Sequence, residues 1–249
     1  MELRMPKTTA RSYSLSPSST IDVRRRFFFA AHCALFATVF VGFGRTFYLR
    51  AFFTVEPLPT YLYVHGTILT LWFSFAVMQA WLILNRQVRW HRRVGYAAAT
   101  DAVAVVVSGL FVNSHLASTL TSPTDVLNII VWGNYGSLLL FAIFIGLGVL
   151  LRKRPEVHVR LMLYASVSII GPALARFAGE AEAARRNVAI GGLLVLLISL
   201  FVYDVAVRRR PHPVTWLGAM GIIASLTVSV ALGVSGIGFL ILQHLFHAA

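Results

Sequence analysis

Seven apolar runs, each close to the ~20 residues a helix needs to cross the hydrocarbon core of a bilayer, divide the chain from Phe27 onward. They extend roughly over Phe27 to Gly44, Tyr61 to Leu84, Val94 to Ser114, Val126 to Leu151, Leu161 to Phe177, Val188 to Val207 and Trp216 to Leu242. A soluble chain of 249 residues, with 57% hydrophobic and 12% charged residues, would have too little polar surface to cover its core, so most of these side chains face lipid. Barrel strands are about half as long and alternate in character, which leaves an all-α, polytopic transmembrane helical bundle of about seven spans as the predicted fold. Residues 1–26 are polar, rich in Ser and Arg, and read as a disordered basic cytoplasmic tail ahead of a transmembrane domain at 27–249. The first apolar run is too long for a signal-peptide core and no small-x-small cleavage site follows it, so it is expected to stay as an anchor.

The formal net charge of +13 is arranged by topology. Of the 22 Lys and Arg residues, 17 precede the first span or lie in the turns joining spans two to three, four to five and six to seven. This is the positive-inside pattern for a cytoplasmic N-terminus and a C-terminus outside. The bilayer is therefore the expected partner, and little basicity is left over for nucleic acid.

Three of those basic turns also carry a histidine: His91 in RQVRWHRRVG, His158 in RKRPEVHVRLM and His212 in RRRPHPVTW. Each stands near the N-terminus of an outgoing helix, where free backbone N–H groups favour an anion. With Arg92, Arg93 and Arg160 beside them, such turns suit a phospholipid phosphate, a haem propionate or a quinone head group. Topology alone also explains the cations, and histidine is at home at an interface beside Trp90 and Trp216. Laying His91 on His158 superposes Arg86 on Lys153, Arg93 on Arg160 and Ala98 on Ala165, too few matches to establish a duplication.

Polar groups inside the spans must find partners away from water. His65, Asn134 and Arg176 are expected to gather toward the outer side, with His65 available as a ligand or proton carrier. Gln79 and Asp101 are expected at similar depth on consecutive helices, joined by a hydrogen bond. Asp204 precedes Arg208 by one helical turn and is expected to pair with it. A b-type haem needs two imidazoles facing each other across the iron. His65 has only His115 within reach, whereas His32, His91 and His158 collect toward the inner side. The single cysteine, Cys33, excludes an internal disulfide or a thiolate metal cluster. In the last span Gly221, Ser225, Ser229 and Gly233 form a small-residue stripe, a packing seam for the bundle, a membrane-protein partner or a second copy.

His65-Gly66, Gln79, His91-Arg92, Gly95, His158, Arg160-Leu161-Met162 and Pro172-Ala173 with Arg176 resemble the pattern of a family of bacterial multi-helix inner-membrane proteins without an established activity. The resemblance covers the second to fifth spans and implies a bacterial inner-membrane setting. The P-loop, HExxH and GxSxG signatures are absent from the sequence. The leading expectation is a redox-related membrane protein binding haem or quinone, with His65, His91 and His158 as candidate ligands and Arg92 and Arg160 holding anionic groups. The alternatives are a non-enzymatic assembly or lipid-interacting protein, and a proton-coupled transporter or sensor using Gln79 and Asp101.

Overall fold

The computed structural model describes residues 17–53, 56–178 and 181–246, and these contain helices, turns and no strand. In chain order they are α1 (Pro17–Gly42), a π-helical turn at Gly44–Tyr48, α2 (Arg50–Phe53), α3 (Thr60–Leu84), α4 (Val88–Ala117) and α5 (Leu127–Leu150). Then follow α6 (Pro155–Ser168), α7 (Gly171–Ala175) with a 3-10 turn at Arg176–Ala178, α8 (Glu182–Arg208), α9 (Pro213–Val234) and α10 (Gly236–Phe246). Six helices are long and apolar enough to cross a membrane, and a seventh crossing results if the bent pair α6–α7 is one span. The chain is thus a membrane-spanning helical bundle.

Three boundaries differ from the sequence expectation. Residues 1–16 of the expected tail lie outside the described residues, but 17–26 are helical and continue into the first span. Pro17 suits the first turn of a helix, where its missing N–H is not needed, and Arg24 is held in place by an ion pair to Glu156 on α6. The fifth span bends by 46° between α6 and α7. Pro172, at the second position of α7, has no N–H to give to a carbonyl one turn back, so a straight helix cannot pass through it. The seventh run stops at Ser235, whose backbone is extended and whose hydroxyl accepts a hydrogen bond from the Gly238 N–H at 3.0 Å, starting α10 as a separate helix. Phe239 and Leu242 of α10 are buried in a small cluster with Ala117, Leu120 and Val131.

α6 is the centre of the bundle. Arg160, Leu161 and every residue from Leu163 to Ser168 are buried, and a helix covered on all sides has no lipid-facing stripe. It packs against α5, α9, α1 and α3. Polar groups mark its seat: Trp72 Nε1 of α3 donates to Ser166 Oγ at 3.2 Å, and the Tyr164 hydroxyl donates to the Thr215 carbonyl of α9 at 2.7 Å. A side chain at Gly218 would run into the Tyr164 ring.

The small-residue stripe of α9 is used within the bundle. Gly136 of α5 lies against Ser225 and Ser229, with space for a Cβ only 2.5 Å and 2.8 Å from their hydroxyl oxygens, and the Ser229 hydroxyl donates to the Trp132 carbonyl at 3.1 Å. A Cβ on Gly233 would lie 2.5 Å from the Ile129 Cα. Gly146, by contrast, has open space beside it. Gly233→Ala is therefore expected to destabilise the solubilised protein by about 1–3 kcal/mol through overpacking, while Gly146→Ala leaves it unchanged or firmer. Melting temperatures of the two variants in one detergent test this, and equal values would contradict the assigned seam.

Candidate functional site

Two arrangements occupy the end of the bundle that carries the basic turns. The first is an ion network around Arg160. This side chain has no exposed surface, and neither has that of Asp204 on α8, with which it pairs through Nη2. Its Nη1 donates to Glu156, at 2.7 Å to the backbone carbonyl and 2.8 Å to Oε2. Asp204 Oδ2 also accepts from the Thr215 hydroxyl at 2.5 Å and the His212 backbone N–H at 2.8 Å, both at the start of α9. Glu156 completes the network by accepting from Arg24 of α1 and, at 3.4 Å, from Arg208 of α8. The guanidinium of Arg160 lies 5.8 Å from the centre of the Phe28 ring and 5.9 Å from that of Tyr203.

Asp204 therefore does not pair with Arg208 as expected from their spacing; Arg208 reaches Glu156 instead, and Asp204 turns inward to the more deeply buried cation. The two Arg160 nitrogens facing the carboxylates are already taken. In the turn before α9, His212 Nδ1 accepts from the Val214 N–H at 3.1 Å. Burial holds this imidazole below the ordinary histidine range, and Arg160 and Arg208 push it further in that direction.

The second arrangement is a histidine pair. His91 is the fourth residue of α4 and His158 the fourth of α6, and their ring centres stand 6.3 Å apart with the planes at 88°. His158 Nδ1 is hydrogen bonded to the Gly148 carbonyl of α5 at 2.9 Å, which directs its Nε2 elsewhere. The His91 ring meets the backbone of Gln79 on α3, and its Nδ1 is buried without a partner. Both ends of the Gln79 carboxamide are buried and unpartnered as well, with its nitrogen 3.9 Å from where a Cβ on Gly95 would stand. Arg92 is exposed beside His91, and Arg93 lies over the Trp90 ring at 5.2 Å.

The hydrogen bond expected between Gln79 and Asp101 is not formed. The antiparallel pairing of α3 with α4 sets Gln79 beside Gly95, six residues or about 9 Å short of Asp101 along the helix. Asp101 Oδ2 has no partner. The expected cluster of His65, Asn134 and Arg176 is distributed over three separate contacts. His65 Nδ1 pairs with Ser108 Oγ at 3.0 Å; Asn134 Nδ2 donates to Asn113 Oδ1 at 3.0 Å. Arg176 donates to the Pro172 carbonyl at 2.7 Å and stacks on Phe43 at 4.1 Å.

Sequence reading placed His91, His158 and Arg160 on the same side of the membrane but missed Glu156, Asp204 and Thr215 as partners. A signal existed, because a cation within a span requires an anion at matched depth, and Asp204 is the acidic residue that the sixth span offers. The Gly148 carbonyl that orients His158 carries no such signal. Fold and site together define a multi-pass membrane protein with a polar centre at one end. Compared with protein-family models, curated proteins and solved structures, the chain matches none of them.

Arg160→Met leaves Asp204 buried without a counter-charge and is expected to cost about 3–5 kcal/mol, most of which returns in the Arg160→Met, Asp204→Leu double variant. Thermal unfolding in detergent reads both, and a double variant no better than the single would contradict the pairing. His212 supplies a pH test. Its folded form takes up a proton at lower pH than the unfolded chain, so the unfolded state binds more protons below about pH 6.5 and acidification there favours unfolding. The fall in melting temperature between about pH 7.5 and 5.5 is expected to shrink in His212→Asn, which caps α9 without titrating; an undiminished fall would assign the effect elsewhere.

Proposed function

We propose that this chain is a redox-related membrane protein of the bacterial inner membrane that binds haem at the His91–His158 pair. The observation that carries the reading is the meeting of two imidazoles from separate helices, each with a nitrogen free of a protein hydrogen bond. Their 6.3 Å separation is of the size two imidazoles keep across one metal, given metal–nitrogen bonds of about 2 Å. The Gly148 carbonyl holds His158 in the way a backbone acceptor commonly orients a ligating imidazole. Arg92 and Arg93 stand at the same end as cations for propionates. The unpartnered Gln79 carboxamide adds a donor and an acceptor to the wall. The positive-inside pattern supports an orientation with this end in the cytoplasm, and the family resemblance implies the bacterial inner membrane.

A quinone is the second reading, and it belongs at the other end of the bundle. Ser108, the partner of His65, lines an apolar groove of about 820 Å³ between α3 and α4 with Tyr61, Ile68, Val107 and Phe111. A prenyl tail suits such a groove, and a His–Ser pair suits a quinone carbonyl.

Absorbance before and after dithionite decides between them. With haem supplied during expression, the purified protein is expected to show a Soret band that sharpens and shifts on reduction. Both His91→Ala and His158→Ala should lose it, and His65→Ala should retain it. A folded, colourless preparation whose solvent extract contains quinone, lost in His65→Ala, would transfer the function to the second site.

A further inference from the structure

Beside the Arg160 network a cavity of about 70 Å³ opens between α1, α6 and α8, lined by Ile21, Arg24, Glu156, Tyr203, Val207 and Arg208. The network next to it is not electrically complete. Three guanidinium groups, those of Arg24, Arg160 and Arg208, face two carboxylates, those of Glu156 and Asp204. Both carboxylates are fully engaged. Glu156 accepts from all three arginines, and Asp204 from Arg160, Thr215 and the His212 backbone. The cations are not, for Arg208 Nε and Arg160 Nε are buried away from water and lack a partner. A buried charged donor left unpaired is costly, and the network as a whole carries one positive charge more than negative, which one further anion would balance.

We propose that this cavity binds a phosphate oxyanion, with Arg24 and Arg208 as its ligands. Planar guanidinium groups match the oxygens of a phosphate, and the volume suits one tetrahedral group. Glu156 does not repel the ligand, since its charge is neutralised by the arginines around it. Ile21 and Val207 give the cavity apolar walls, and Ile21 is itself exposed on the outer surface of α1. A phosphodiester with acyl chains alongside, the chemistry of an acidic phospholipid, fits those walls; free phosphate shares the same oxygens. The site is independent of the histidine pair, and its ligand need not be a redox group.

The test has two arms, both on the full chain. In nanodiscs of mixed phosphatidylglycerol and phosphatidylcholine, native mass spectrometry is expected to find one phosphatidylglycerol retained by the wild type. Arg208→Gln should lower that retention about tenfold, and Lys153→Gln, an exposed cation of the neighbouring turn, should not change it. In delipidated protein, millimolar inorganic phosphate is expected to raise the melting temperature of the wild type and not of Arg208→Gln. Should Arg208→Gln fail to fold, Arg208→Lys replaces it in both arms, keeping the charge but losing the fork, with a several-fold loss expected. An effect in the lipid arm identifies a headgroup, and one in the phosphate arm alone identifies a soluble source; either upholds the site. Equal behaviour of wild type and the Arg208 variant in both arms, or a loss that Lys153→Gln reproduces, overturns it.

Discussion

A guanidinium without exposed surface, inside a bundle whose outer face meets lipid, has to be neutralised where it stands. Arg160 meets that demand with Asp204 and Glu156, and in doing so joins α6 to α8, to the start of α9 through the other oxygen of Asp204, and to α1 through Arg24. Removing two charges from water costs about as much as their attraction returns, so such a network contributes modestly to net stability and heavily to selection among packings. That selection is what α6 needs. A helix buried almost wholly from Arg160 onward presents hydrophobic residues in every direction there, and apolar packing alone gives it little reason to prefer one rotation. A misrotated α6 would carry Arg160 away from Asp204 and leave that carboxylate buried without its cation.

The bundle was legible because lipid imposes length and polarity on each span independently, which is why all of the long helices lie where apolar runs predicted them. The breaks were less legible. Pro172 is a visible interruption, yet its neighbours Ile169, Ile170, Ala173 and Leu174 are apolar, so the run of hydropathy hides the bend. At Ser235 the break depends on a serine hydroxyl reaching the Gly238 N–H, a local contact that composition does not reveal. Pairings across helices were harder still. Asp204 has Arg208 one turn away, a favourable spacing on an isolated helix; the structure prefers Arg160 because the buried cation has more to lose without a partner.

Satisfaction of polar groups differs between the two ends. At the end remote from the basic turns, Asn113 bonds the Val131 carbonyl and Asn134, Ser114 bonds Tyr135, and His65 bonds Ser108, so most polar side chains within the spans are closed on each other. Asn128 and Trp132 are the exceptions there, each with one unpartnered atom. Toward the basic end the open groups are more numerous: the Gln79 carboxamide, His32 Nδ1, His91 Nδ1, Asp101 Oδ2, and the Nε atoms of Arg160 and Arg208. Natural interiors leave few such atoms unpaired. Their concentration where the cationic turns also lie marks that end as the place where the molecule meets something other than itself.

The ion network and the histidine pair are consequences of one helical rotation. His158 and Arg160 are two residues apart on α6, which at 3.6 residues per turn places them about 200° apart around its axis. Once Arg160 is turned toward α8 and α9 by Asp204, His158 must face the opposite side, where α5 offers the Gly148 carbonyl and α4 offers His91. Met162, one turn beyond His158, follows the same face and packs where Gly148 has no side chain. Glu156, one turn before Arg160, follows the other and meets Arg24 and Arg208. The buried ion pair thus serves the histidines without touching them. By fixing the rotation of the central helix, it determines which groups the imidazole of His158 can face.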